Sequence, residues 1–161
     1  MATKNPDFGA LLAPVLSRVP DAARPRFLAL LERTAADRYR AWAAELPHEA
    51  EALNRCAQRE DEISDRIEAL FELDEVSLAE LRSLLPAARA LYYAAFDGLP
   101  INEQLRLQAD AELQGANAWR SVARRLSDTS VIAELERCSA IEEESSRVVT
   151  EILERLAHPR P

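Results

Sequence analysis

Apolar residues recur three and four apart along four long stretches of this chain, and no stretch alternates apolar with polar residues. That period belongs to helices that bury one face, and it leaves no place for half-buried strands. The first stripe is Leu28, Leu31, Ala35, Tyr39, Trp42 and Leu46, and the second is Leu53, Cys56, Glu60, Ile63, Ile67 and Leu70. The third carries Leu105, Glu112, Trp119, Val122 and Leu126, and the fourth runs from Val131 through Leu135, Cys138, Glu142, Ser145, Val149 and Ile152 to Leu156. Together they predict helices over about 21–46, 48–71, 102–126 and 129–157. With 3 glycines among 161 residues, composition agrees with helix throughout.

Punctuation sets the topology. Asp21 is the expected N-cap of the first long helix, with Pro25 in its opening turn. Pro47 ends that helix, and Asp97-Gly98-Leu99-Pro100 is a second stop. A short leading helix over 7–18 closes at Val19-Pro20. Within 72–100, Ser77 is the expected cap of another helical stretch, which Pro86 breaks or kinks. The short links after the first and third long helices require two antiparallel hairpins. The connection between the hairpins is long and helical. The expectation is an all-α single domain over 1–161: an antiparallel four-helix bundle of two hairpins, a long helical crossover and a short N-terminal helix.

Glutamate is rarely buried without a partner. Each long helix nevertheless sets one into its stripe near mid-helix: Glu32, Glu60, Glu112 and Glu142. An internal echo accompanies them. Glu32, Ala35, Ala36 and Tyr39 are spaced like Glu112, Gly115, Ala116 and Trp119. Cys56 precedes Glu60 by four residues, as Cys138 precedes Glu142. A duplicated hairpin of this kind brings the four carboxylates to one level. Three states satisfy them there. A divalent cation neutralises them, with all-oxygen ligation suiting Mg²⁺, Ca²⁺ or Mn²⁺. Alternatively they share protons and hydrogen-bond to Tyr39, Ser145 and one another. In the third state, arginines such as Arg33, Arg38, Arg59 or Arg120 turn inward to pair with them.

With this glutamate pattern and with Tyr39 seven residues after Glu32, residues 21–157 resemble the ferritin-like superfamily of ferritins, bacterioferritins and rubrerythrins. Members place one Glu on each of two helices and Glu-x-x-His on the other two. The resemblance implies a di-metal site ligated by Glu32, Glu60, Glu112 and Glu142, with Tyr39, Ser145, Cys56 and Cys138 around it, and with Fe, Mn or Mg, or no metal, as its content. It also implies self-association, as a homodimer or another homo-oligomer. The departure is specific: Ile63 and Ser145 occupy the two histidine positions, and His48 and His158 lie near helix ends. Without imidazoles, ordinary ferroxidase or oxygen-activating chemistry is not expected, although an all-carboxylate di-iron oxidase is the enzyme reading that survives. A non-catalytic interaction or dimerisation module that keeps only the scaffold is the alternative.

The remaining features are plainer. A net charge of −8 disfavours nucleic acid and anionic membranes as partners. No apolar run approaches the length of a membrane span. The opening MATKNPDFGALLAPVL has neither a basic lead nor a cleavage site, so a cytoplasmic location is expected. Cys56 and Cys138 read as small buried apolar side chains. Trp42, Trp119, Tyr92, Tyr93 and Phe96 read as packing residues. Leu81, Leu84, Leu85, Leu91 and Phe96 form a stripe that packs inward or offers a dimer face.

Overall fold

A computed structural model describes residues 5–158; its regular secondary structure is all helical, with no strand among the described residues. Helix α1 spans Phe8–Leu16, α2 Arg24–Glu45, α3 Ala50–Leu70, α4 Glu75–Ala94, α5 Ile101–Ala123 and α6 Thr129–Ala157. Short 3₁₀ turns at Asp21–Ala23 and Pro47–Glu49 lead into α2 and α3. Among the described residues no helix is long and apolar enough to cross a membrane.

Three local expectations are corrected. Asp21 does not cap α2: it sits in the 3₁₀ turn and pairs with Arg24 at 3.1 Å. Pro25 does lie in the first turn of α2. Ser77 does not cap α4 either. Asp74 does, its side chain accepting from the Ser77 amide at 2.7 Å, so Ser77 lies inside the first turn. Asp is as good a cap as Ser, and its carboxylate also meets the positive end of the helix dipole. Of the two readings of Pro86, a break or a kink, the break is excluded, because α4 continues from Glu75 to Ala94 with Pro86 inside it. Pro86 and Arg82 are both exposed, so water can serve the carbonyl that proline leaves without a donor.

The helices pair as α2 with α3 and α5 with α6, and α3 also packs on α6. Contacts across each pair run in opposite directions. Arg26 reaches the carbonyls of Glu68 and Phe71, whereas Arg40 meets Asp61. In the second pair Ser139 bonds back to Ala116 and Ser146 to Ala109. Both pairs are therefore antiparallel hairpins. Leu81 of α4 is buried with Leu12, Val15 and Phe27, and Leu84, Leu85 and Leu91 pack against the same group. The apolar stripe of α4 thus faces α1 and α2. Gln114 of α5 fastens the start of α1 twice: its Oε1 accepts from the Phe8 amide at 2.8 Å, and its Nε2 donates to the Pro6 carbonyl at 3.0 Å.

The sequence echo has a structural counterpart. Ser64 stands four residues after Glu60 and donates to the Ala29 carbonyl at 2.9 Å, three residues before Glu32. Ser146 stands four after Glu142 and donates to the Ala109 carbonyl at 2.7 Å, three before Glu112. The same buried bond thus clamps each hairpin at the same distance from its glutamates. Replacing either serine with alanine removes one buried hydrogen bond, worth about 1 kcal/mol. Ser64→Ala and Ser146→Ala are each expected to lose about that amount in urea denaturation, with the double variant near the sum. A loss confined to one hairpin contradicts the equivalence.

Candidate metal centre

Helical register brings the glutamates inward. Glu60, Glu112 and Glu142 are buried, each no more than 2% exposed, and Glu32 is half-buried. One carboxylate oxygen from each of Glu32, Glu60 and Glu142 lies within 4.8 Å of the other two. These three come from α2, α3 and α6, so both helices of the first hairpin and one of the second meet at one point. Glu112 of α5 lines the same cavity but is held differently. Its Oε1 accepts from the Tyr39 hydroxyl and from Gln108 Nε2, each at 2.6 Å. Its Oε2 is buried with no hydrogen-bond partner. Tyr92 supports the arrangement from behind, its hydroxyl donating to Gln108 Oε1 at 2.6 Å.

The other expected neighbours are present in altered roles. Tyr39 does bond a glutamate, and it is the one on α5, across the cavity from its own helix. Ser145 stands 3.5 Å from Glu60 Oε1. Trp119, read from sequence as packing, donates its indole N–H to Glu142 Oε1 at 3.2 Å. Burial pushes the Cys56 and Cys138 thiols up to about 12, so both remain protonated and inert over the physiological range.

Gly115 explains one element of the echo. A Cβ at that position would lie 2.5 Å from Glu142 Oε1, so the carboxylate occupies the space a side chain would fill. Trp119 Nε1 then holds the same oxygen from the next turn of α5. Gln108 and Trp119 escaped notice because a single polar or indole group in a stripe reads as packing. The available signal was their register, four residues before Glu112 and seven after it.

None of the four candidate arginines reaches the cluster. Arg33 is taken by Asp61, Asp65 and Glu68, and Arg120 by Glu136 and Glu143. Arg38 lies over the rings of Trp42 and Phe96 and bonds Gln104 at 2.6 Å. Arg59 lies near Glu144 and the Cys56 sulfur. Lys and Arg side chains gain more from solvated carboxylates at the rim than from entering an apolar interior. Inward pairing by these arginines is thereby set aside.

The carboxyls consequently compete with one another. Burial, reinforced by the charges of Glu112 and Glu32, holds Glu60 well above the usual carboxylate range. Burial, with Glu32, Glu60 and Glu112 facing it, does the same to Glu142. Burial raises Glu32 to about 7, an effect that a hydrogen bond with Glu60 partly offsets. Burial and the Glu112 charge also push Tyr39 upward, so it remains a donor phenol.

The cluster is reachable. A cavity of about 880 Å³ opens between α2 and α5, walled on one side by α1. Exposed Asn5, Asp7, Asn117 and Ser121 stand at its rim. The donor set suits a hard cation: four carboxylates, one with an unserved oxygen, and no nitrogen or thiolate ligand. No family model matches the chain, and no curated protein or solved structure does either.

The pH dependence follows from the raised carboxyls. Unfolded glutamate ionises near pH 4.5, while burial raises Glu32 in the native protein to about 7 and holds Glu60 and Glu142 well above the ordinary carboxylate range. The native state therefore binds more protons than the unfolded chain across that window, and stability falls as pH rises through it. Metal-free protein is expected to melt higher at pH 5.5 than at pH 8. Glu142→Gln is expected to flatten that decline and to exceed wild type at pH 8 by about 2–4 °C for each kcal/mol relieved. Calorimetry at the two pH values checks both statements.

Proposed function

We propose that this protein is a ferritin-like four-helix bundle, two hairpins joined by α4, that binds a hard divalent cation at Glu32, Glu60, Glu112 and Glu142. The observation that carries the reading is the convergence of Glu32, Glu60 and Glu142 within 4.8 Å, with buried Glu112 in the same cavity and no arginine to neutralise them. Buried carboxylates are rarely retained unless they are paired or ligate a cation. Mn²⁺ and Mg²⁺ are the cations of choice for an all-oxygen donor set, with Fe²⁺ also compatible. Such a cation, when bound, supplies positive charge and Lewis acidity.

The chain's own residues do the rest. Tyr39 and Gln108 fix Glu112 through its Oε1 and leave Oε2 uncommitted to either of them. Trp119 and the bare α-carbon of Gly115 fix Glu142. Apolar Ile63 and weakly donating Ser145 stand where the resemblance expects imidazole. The site therefore lacks the nitrogen ligands and their partners through which iron sites tune redox chemistry, and the reading is of binding, not of ferroxidase activity. Protons are the competitor, so cation uptake releases protons and strengthens as pH rises.

Mn²⁺ added to metal-free protein at pH 8 is expected to raise Tm and to bind with measurable proton release in calorimetry. A concentration one hundred times Kd adds about 2.7 kcal/mol. Glu60→Gln and Glu142→Gln should abolish the response. Gly115→Ala should weaken Mn²⁺ affinity at least tenfold by displacing the Glu142 carboxylate, while its better helix propensity keeps the metal-free Tm near wild type. An unchanged Tm with Mn²⁺, Fe²⁺ and Mg²⁺ alike, or an equal response in the Gln variants, overturns the proposal.

A further inference from the structure

We propose that the groove between α2 and α5 takes an amphipathic carboxylate, an aliphatic chain with an anionic head, and that the head rests on Arg24 and Arg125 while the chain runs toward the glutamates. The inference deepens the cation reading, on which only its inner end rests. A second cavity, of about 480 Å³, adjoins the one above the glutamates. Leu28, Ala118 and Ser121 wall both, so the two form one groove along α2 and α5.

Charge is segregated along this groove. All four core glutamates that line it lie at its inner end. Arg24 and Arg125 lie at its outer end, with Asp21 as the only acidic residue lining that part. Arg24 is half-buried, and its Nε is buried without a hydrogen-bond partner. Its one ion pair, with Asp21, is on the surface and therefore weak. Arg125 is exposed and makes no ion pair among the described residues.

Between the two ends the walls are apolar. Leu12 and Leu31 face the inner part, and Pro25, Phe71 and Leu126 face the outer part. Along α5 the helical rise separates Glu112 from Arg125 by about 20 Å. A small hydrophilic anion makes no use of such walls. A plain hydrocarbon leaves the exposed Arg125 without a counter-ion. An organic cation would have to set its head among the glutamates, in competition with the metal cation. An anionic head with a medium-length chain meets the arginines at the outer end and lays its chain along the apolar walls.

Decanoate below its micelle concentration is the probe, with decylamine and decanol of equal chain length as controls. Trp119 lines the cavity and reports occupancy by fluorescence, with calorimetry giving stoichiometry. One saturable decanoate site is expected, binding at least fivefold more tightly than decanol or decylamine. Arg125→Ala and Arg24→Ala should each weaken decanoate at least fivefold and leave decanol unchanged. Ala118→Phe, which fills the shared wall, should abolish decanoate binding while circular dichroism confirms the fold. Equal affinity for decanol, preference for decylamine, or indifference to both arginine variants overturns the proposal. Mn²⁺ titration of the same preparation separates the two readings. Mn²⁺ uptake without decanoate binding overturns this one alone, and decanoate binding without Mn²⁺ uptake overturns the cation reading alone.

Discussion

Mutual repulsion among buried carboxyls is the constraint on which the rest of this structure depends. Glu32, Glu60 and Glu142 meet within 4.8 Å in an interior where ionising any of them opposes the others. The surrounding residues are arranged to hold them there. Tyr39, Gln108 and Trp119 aim donors at individual oxygens. Gly115 gives up its side chain to make room for one. The nearest arginines are engaged with rim carboxylates or aromatic rings, so no guanidinium neutralises the centre. An apolar core of the same helices would be simpler to stabilise, which makes the retained carboxyls a functional signal.

The two hairpins are alike in their clamps and unlike in their chemistry. Ser64 and Ser146 make the same bond at the same register, and Cys56 and Cys138 are equally buried. At the position three residues after the glutamate, one hairpin has Ile63 and the other Ser145, both fully buried. The seventh position has Tyr39 in one and Trp119 in the other. The packing is uneven too. α3 lies against α6, whereas α2 and α5 make no comparable contact and the cavity fills the space between them. The centre is therefore closed on one side and reachable from the other.

Much of this was legible in the residues, for stated reasons. A 3.6-residue period fixes which residues share a face, so the four long helices and the inward turn of Glu60, Glu112 and Glu142 follow from spacing. Short links force hairpins. Competition was harder to read: Asp74 and Ser77 are both good caps, and which one wins depends on where α4 must begin to reach α1. Pro86 looked like a breaker because sequence does not say that its face is solvated. The least legible features were partners across the interior. That Tyr39 serves Glu112 and not its own helix, or that Trp119 serves Glu142, depends on the distance between helices. The groove from the glutamates to Arg125 depends on α2 and α5 packing less closely than the helices of either hairpin, and no residue pattern encodes that gap.

Titration of the glutamate carboxyl carbons by carbon-13 NMR on metal-free protein tests the central claim most directly, with Gln variants assigning the resonances. Glu32 is expected to titrate near 7, with Glu60 and Glu142 well above the ordinary carboxylate range and the resonances of the three shifting together. If every glutamate titrates independently near 4.3, the carboxyls do not converge in a buried centre and the account fails.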